Sequence, residues 1–150
     1  MAFQIYLDDD ASPVKEDTFR VAKRYQLKVF VVSNSPIFLP REDWIEAVVV
    51  EKEFDAVDNW IAGHAGQKDI VITNDILLAE RCLKNQSRVI GPRGKIYTED
   101  NIGDALANRE LMSELRQRGD LNTGPKKMGK SHKSNFLSSL DLVINQIKKS

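Results

Sequence analysis

The sequence predicts a three-layer α/β/α fold with a mostly parallel central sheet. Short apolar runs rich in β-branched residues alternate along the chain with segments of helical periodicity. Several of these runs are apolar without interruption, which is typical of strands covered on both faces. A chain of 150 residues, 41% of them hydrophobic, has the size and apolar content of one domain. We therefore expect residues 1–150 to form a single α/β domain.

The first strand and the first helix are predicted near the start of the chain. "FQIYL" (3–7) is a strand candidate, and "SPVKEDTFRVAKRYQ" (12–26) has the pattern of a helix. Ser12 is suited to cap this helix, and Pro13 to occupy its first position. The inner stripe of the helix consists of Val14, Thr18, Val21, Ala22 and Tyr25.

Two more strands and a second helix are predicted next. "KVFVV" (28–32) and "AVVV" (47–50) are strand candidates, and the loop between them contains Pro36 and Pro40. "FDAVDNWIAGHA" (54–65) is predicted to be a helix. Its inner face is predicted to consist of Phe54, Val57, Ile61 and Ala65.

The pattern repeats in the following segment. "DIVIT" (69–73) and "RVIG" (88–91) are predicted strands, and we expect the second of them to be the last strand. "ILLAERCLKN" (76–85) is a helix candidate between them. "EDNIGDALANRELMSELRQRG" (99–119) is a longer helical pattern that ends in glycine.

The chain is predicted to end in a linker and a docked helix. Residues 120–133 are expected to be a basic linker, because the segment is rich in glycine, proline and lysine. "SNFLSSLDLVINQIKK" (134–149) is the closing helix, which we expect to dock on the body of the domain. Its apolar stripe consists of Phe136, Leu140, Val143, Ile144 and Ile147.

Charge and cysteine content limit the function classes. Residues 1–60 contain 12 acids and 7 bases, whereas residues 109–133 contain seven bases and three acids. This asymmetry suits a bound metal and a polyanion, or an ordinary solvated surface. The single Cys82 excludes an intrachain disulfide and a cysteine-based zinc cluster. Because the chain has no signal-peptide pattern and no apolar run of about 18 residues, we expect a cytoplasmic protein without a membrane span.

Acidic residues follow two of the predicted strands. Asp8 and Asp10 come after the first strand, and Asp75 follows "IVIT". Asp58 lies at the border of the apolar stripe of a helix, whereas we expect Asp9 to point elsewhere. Clustered carboxylates without histidine or cysteine suit Mg²⁺ or Mn²⁺. An ion bound there would activate a water molecule to attack a phosphodiester. The alternative is a set of solvated turns, in which Asp75 caps the next helix.

Other polar residues are candidates for substrate binding. Thr73 is suited to orient a water or a metal ligand, and Arg93 lies in a "GPRG" turn that suits phosphate. Lysines in the basic linker suit a nucleic-acid backbone. Each of these residues also has a plain interpretation as a turn, strand, cap or solvated residue. The further candidates are Ser12, Asn34, Asn59, Lys126 and Lys127.

An ordered set of motifs resembles the YaiI/YqxD family of uncharacterised bacterial proteins. The set covers nearly the whole chain, and its order makes it specific. Its pieces are "DDDASPV" (8–14), "FDAVDN" (54–59), "DIVITNDILLA" (69–79), "PRG" (92–94), "YTEDNI" (97–102) and "TGP" (123–125). One position departs from the family pattern, because Ser12 replaces the usual cysteine. A serine there can still cap a helix or hold a phosphate, and the thiol is then dispensable.

The resemblance implies a fold related to PIN-like domains and a site of the kind found in PIN nucleases. Carried over by position, it implies an Mg²⁺ or Mn²⁺ site formed by Asp8, Asp58 and Asp75, with Asp10 as a fourth ligand. A metal-dependent nuclease that acts on RNA is therefore the first functional hypothesis.

Two other functions stay open. A non-catalytic module would bind nucleic acid or a protein partner through a degenerate acidic pocket. A phosphatase of the haloacid-dehalogenase type would use Asp8 as nucleophile and Asp10 as acid/base. The sequence has no clear late Asp-Asp pair for this third class, and no lysine can be assigned to it.

Overall fold

The computed structural model describes residues 3–119 and 129–150. The strands are β1 Gln4–Asp8, β2 Lys28–Ser33, β3 Ile45–Val49, β4 Ile70–Ile72, β5 Arg88–Ile90 and β6 Ile96–Tyr97. The helices are α1 Lys15–Tyr25, α2 Ala56–His64, α3 Ile76–Lys84, α4 Ile102–Gln117 and α5 Lys130–Lys149. A 3₁₀ helix, Asp9–Val14, joins β1 to α1. None of the described helices is long and apolar enough to cross a membrane.

The six strands form one mostly parallel sheet in the order β3-β2-β1-β4-β5-β6. The pairs from β3 to β5 are all parallel, and only β6 runs antiparallel to its neighbour. Strand β1 is central, and chain order changes direction between β1 and β4. Ligands of such sheets collect beyond the carboxyl ends of the strands at this kind of point.

Helices cover both faces of the sheet and complete the three layers. On one face, α1 and α5 pack on the apolar side chains that include Ile5 and Leu7. On the other face, α2 and α3 pack on a cluster that includes Tyr6 and the buried Cys82. Side chains alternate along a strand, so Asp8 follows Tyr6 toward the α2 and α3 face. The three-layer α/β/α prediction is confirmed.

The start of the first helix differs from the prediction. Residues 9–14 form a 3₁₀ helix rather than the first turn of an α-helix, and α1 begins at Lys15. The carboxylate of Asp8, not the side chain of Ser12, caps this segment by accepting a hydrogen bond from the amide of Asp10. The prediction that Ser12 caps the helix was wrong. The side-chain oxygen of Asp8, directly before the segment, is the one placed to accept from this amide.

One residue of the predicted inner face of the second helix, Phe54, does not belong to that face, whereas Val57 packs against the core as predicted. Phe54 is 93% exposed, because α2 begins only at Ala56 and Asp55 adopts a left-handed conformation with φ 64°. This backbone reversal takes residues before α2 out of the helical repeat. Ile61 and Ala65 are buried as expected. The two-residue strand β6 was missed, since it is too short to show a pattern.

Helix α5 begins four residues earlier than the sequence indicated. Lys130–Lys149 is helical, so residues 130–133 of the predicted linker are part of the helix. Residues 120–128 lie outside the described residues. The predicted stripe is buried against the sheet and α1; it consists of Phe136, Leu140, Val143, Ile144 and Ile147.

Candidate functional site

A pocket of about 430 Å³ lies at the carboxyl edge of the sheet, where β1, β2 and the start of α2 meet. All four acids that the sequence singled out line it; they are Asp8, Asp10, Asp58 and Asp75. The strand order explains the convergence, because β1 and β4 are neighbours and end at the same edge.

Asp8 is the most deeply placed carboxylate, with 3% of its surface exposed. The hydroxyl of Thr73, which is fully buried, donates a hydrogen bond of 2.9 Å to Asp8 Oδ2. The amide of Asp10 donates to Asp8 Oδ1 at 3.2 Å. Burial raises the pKa of Asp8 and outweighs these two hydrogen bonds, and the charges of Asp10 and Asp75 act in the same direction as burial.

Hydrogen bonds hold both the backbone amide and the side chain of Asp75. Its amide donates to Thr73 Oγ1 at 3.0 Å, so that hydroxyl links the ends of β1 and β4. Its carboxylate accepts the amides of Leu77 and Leu78 at 2.9 and 3.3 Å and thereby caps α3. The interpretation of Asp75 as a helix cap is confirmed, and the same carboxylate also lines the pocket.

Asp58 projects from the first turn of α2 toward these groups. Burial is the main reason why the pKa of Asp58 rises to about 7, and a hydrogen bond with Asp75 is the next. The charges of Asp75, Asp8 and Asp55 add to the rise. The Asp58 carboxyl therefore takes up a proton more readily than a free aspartate, which lowers the repulsion among the neighbouring acids.

The middle aspartate of the opening triplet is also part of the pocket, which corrects the expectation that it points elsewhere. Asp9 lines the pocket and forms an ion pair of 3.2 Å with Lys15, and Ser33 Oγ lies 3.4 Å from its Oδ2. The 3₁₀ helix causes the difference. It ends the strand alternation at Asp8, so that Asp8, Asp9 and Asp10 all reach the pocket.

The pocket has a strongly one-sided charge. Among the described residues that line it, none is lysine or arginine and seven are acidic: Asp8, Asp9, Asp10, Glu53, Asp55, Asp58 and Asp75. Glu53 and Asp55 were not among the site residues predicted from the sequence. The signal for both was their position immediately before α2, a helix whose first turn already carries Asp58.

Asn34 also lines the pocket, directly after β2. Two other predicted substrate-binding residues do not line it. Ser12 is exposed and lies outside the pocket lining, because the 3₁₀ helix turns it away. Asn59 is exposed, and its Oδ1 accepts a hydrogen bond of 2.9 Å from Arg81 instead. Neither residue lines the acidic pocket, and the assignment of Ser12 and Asn59 to substrate binding stays a prediction.

The other predicted substrate-binding residues are Arg93, Lys126 and Lys127. Arg93 lines a separate depression with Lys95 and the start of α5, at the far side of β6. It is not at the acidic pocket, because the order of the strands sets β5 and β6 beyond β4. Lys126 and Lys127 lie outside the described residues.

The donor set suits a hard cation, but the acids do not converge on one point. Oxygen ligands without nitrogen or sulfur are those that Mg²⁺ and Mn²⁺ prefer. Within residues 3–119 and 129–150, no three acidic, histidine or cysteine side chains are grouped closely enough to hold a metal ion as they stand. The raised pKa of Asp58 favours its protonated form. A cation that used Asp58 as a ligand would compete with this proton.

Comparison with known proteins gives close relatives over nearly the whole chain. A family model described as the uncharacterized BCR, YaiI/YqxD family, matches residues 6–146. A UPF0178 protein of Rhodospirillum centenum is 48% identical over 149 residues, which cover 97% of each chain. A UPF0178 protein of Azorhizobium caulinodans is 48% identical, and the match covers 97% of this chain and 91% of that protein. No solved structure matches the chain significantly.

The match with the family model includes every residue that lines the acidic pocket and four of the five described helices in full. The resemblance inferred from the ordered motifs is confirmed. The chain belongs to the YaiI/YqxD family, and its relatives are UPF0178 proteins.

Proposed function

We propose that the protein is a phosphodiester hydrolase that depends on Mg²⁺ or Mn²⁺ and acts on RNA. Asp8, Asp10, Asp58 and Asp75 would hold the cation. The observation that carries the proposal is the concentration of seven acidic residues around one pocket at the carboxyl edge of a parallel sheet, with no lysine or arginine among the described lining residues. The resemblance of the family to PIN-like nucleases supports the same reaction.

Electrostatics explains why a cation is part of the proposal. A phosphate group that approached the pocket directly would be repelled by its carboxylates, since like charges in a partly desolvated site interact strongly. A divalent cation reverses this, because it neutralises the carboxylates and attracts phosphate oxygens. When bound, such an ion polarises the phosphodiester and lowers the pKa of a coordinated water.

The residues of the chain have separate roles in this proposal. Thr73 holds the Asp8 carboxylate in one orientation, and the cap on α3 does the same for Asp75. Asp58, with its raised pKa, holds a proton near neutral pH and is the group that would release it when a cation binds. Asn34 offers an uncharged amide at the rim, suited to a hydrogen bond with a phosphate or ribose oxygen.

A non-catalytic module is the second candidate, and one observation favours it. The described acids are not grouped as a ready-made metal site, as expected of a pocket that has lost its chemistry. The haloacid-dehalogenase alternative has no comparable support. Lys15 pairs with Asp9 rather than Asp8, and no other lysine is available to the pocket as described.

Two measurements on matched variants test the proposal. Calorimetry follows Mn²⁺ binding, and a fluorescent single-stranded RNA reports cleavage. Asp8→Asn removes the buried carboxylate, and Asp100→Asn removes an exposed carboxylate outside the pocket as a control. We expect the wild type and Asp100→Asn to bind Mn²⁺ and cleave, and Asp8→Asn to lose both.

The other outcomes decide between the candidates. A wild type that does not bind Mn²⁺ contradicts the metal site. Binding of Mn²⁺ without cleavage favours the non-catalytic module. Cleavage that survives in Asp8→Asn contradicts the assignment of the activity to this pocket.

A further inference from the structure

A second depression adjoins the acidic pocket on the side of β6 and α4. We call it the basic groove and define it by six of its lining residues: Asn74, Ile76, Lys95, Arg109, Met112 and Arg116. The first two precede and begin α3, Lys95 precedes β6, and the last three belong to α4. Arg109, Met112 and Arg116 are three and four residues apart, which puts them on one face of the helix.

Three consecutive residues, 74–76, separate the acidic pocket from the basic groove. Asp75 lines the acidic pocket, while its direct neighbours Asn74 and Ile76 line the basic groove. Consecutive Cα atoms are about 3.8 Å apart. A polymer bound in the groove therefore has to extend past only one residue, Asp75, to reach the acidic pocket.

The groove has the opposite charge of the pocket. Lys95, Arg109 and Arg116 face it, and Asp104 is the only acid among its lining residues. In the described part of the chain, none of these three cations forms an ion pair with a carboxylate. The Lys95 ammonium lies 5.8 Å from the centre of the Tyr97 ring, and both residues line the groove. Within residues 3–119 and 129–150, the structure thus offers three cations that no carboxylate neutralises in an ion pair.

We propose that the basic groove binds the phosphate backbone of a single-stranded RNA whose neighbouring phosphate lies at the acidic pocket. This inference rests on the proposed function. Cations spaced along a groove suit a polyanion of repeated charges. The half-buried Ile76 and Met112 offer an apolar floor against which a base can pack. Lys95 also borders the depression that contains Arg93, which extends the basic track away from the acids.

The test measures RNA binding without any metal, so that it does not depend on cleavage. Fluorescence anisotropy follows a labelled oligouridine in EDTA over a range of salt. The triple variant Lys95→Gln/Arg109→Gln/Arg116→Gln removes the groove cations. A control of equal charge change, Lys23→Gln/Arg24→Gln/Lys84→Gln, removes exposed cations at the ends of α1 and α3, at the opposite edge of the sheet.

The salt dependence gives the expected size of the effect. Each phosphate contact on a single strand contributes about 0.7 to the slope of log K against log salt. We expect the groove variant to lower this slope by about 2 and the control variant to leave it within about 0.5 of the wild type. All substituted side chains are exposed or half-buried, and equal melting temperatures of the two triples would show that folding is not the cause.

Several outcomes would overturn the proposal. They are a wild type that does not bind the oligouridine, an equal loss in both triple variants, and a polyglutamate peptide that competes as well as RNA. The last result would assign the groove to acidic peptides. Failure of the groove is distinguishable from failure of the proposed function. A groove variant with unchanged binding in a protein that still cleaves in an Asp8-dependent manner refutes only the groove.

Discussion

The raised pKa of Asp58 makes the stability of the protein depend on pH. In the folded protein the pKa of Asp58 is about 7, whereas that of a free aspartate is about 3.9. Between these values the folded state holds a proton that the unfolded state releases. The free energy of unfolding therefore falls as pH rises through this window. This is the opposite of the usual behaviour of a salt-bridged carboxylate.

The size of the effect follows from the same numbers. A pKa difference of about three pH units corresponds to about 4 kcal/mol, which is a ceiling. Asp58 is only half-buried, so solvent screens its repulsion from Asp75 and Asp8. We expect a loss of about 1–2 kcal/mol between about pH 5 and about pH 8. Asp58→Asn removes it, because the amide is uncharged at both pH values and can still donate to Asp75.

Urea unfolding of the wild type and Asp58→Asn at the two pH values measures this contribution. Titrating groups far from Asp58 affect both proteins equally, so the difference between the two proteins reports Asp58 together with its coupling to the neighbouring acids. The wild type should lose about 1–2 kcal/mol relative to the variant as pH rises, and Asp100→Asn should show no such change. A relative loss below about 0.3 kcal/mol would refute the coupling of Asp58 to the acids around it.

Urea unfolding also checks three further predictions. Thr73→Val removes a buried hydroxyl that donates to Asp8 and accepts from a backbone amide, and should lower the free energy of unfolding by about 2–4 kcal/mol. Thr73→Ser keeps the hydroxyl and should avoid most of this loss. Phe136→Ala should cost about 3–5 kcal/mol, since this side chain is fully buried beneath α5. Gly94→Ala should cost more than about 3 kcal/mol, because its Cβ would lie 2.6 Å from the backbone of α5 at φ 96°. Gly119→Ala, at φ 74° in open space, should cost about 1 kcal/mol, and equal losses at the two glycines would contradict the steric reasoning.

Much of the fold could be predicted because it depends on local patterns. Uninterrupted apolar runs such as that of β2 require cover on both faces, and this alone implies the layered arrangement. The errors occurred where a single polar contact or backbone reversal decides the structure. The side chain of Asp8 caps a 3₁₀ helix formed by the following residues. The left-handed Asp55 precedes the first residue of α2 and excludes Phe54 from its helical repeat. Periodicity carries no information about either event.

The candidate site could be predicted only as far as it depends on the ends of neighbouring strands. Asp8 and Asp75 converge because β1 and β4 are adjacent, which parallel α/β architecture makes a reasonable expectation. Asn59 lies on the same helix as Asp58, but its side chain accepts a hydrogen bond from Arg81, and Arg93 lies in the turn between β5 and β6. Neither position follows from the sequence pattern. The basic groove was missed for the same reason, because α4 is brought beside β6 only by the order of the strands.

The separation of charge between the pocket and the groove gives each of them a different role in the proposed function. A polyanion is attracted by Lys95, Arg109 and Arg116 but repelled by the acids beyond Asp75. Affinity for RNA should therefore come from the groove, and the pocket should add little to it until its carboxylates are neutralised. The raised pKa of Asp58 shows that the protein already relieves part of this charge with a proton. Protons and cations then compete for the same carboxylates, so metal binding at the pocket should strengthen as pH rises through about 7 while RNA binding in EDTA changes much less.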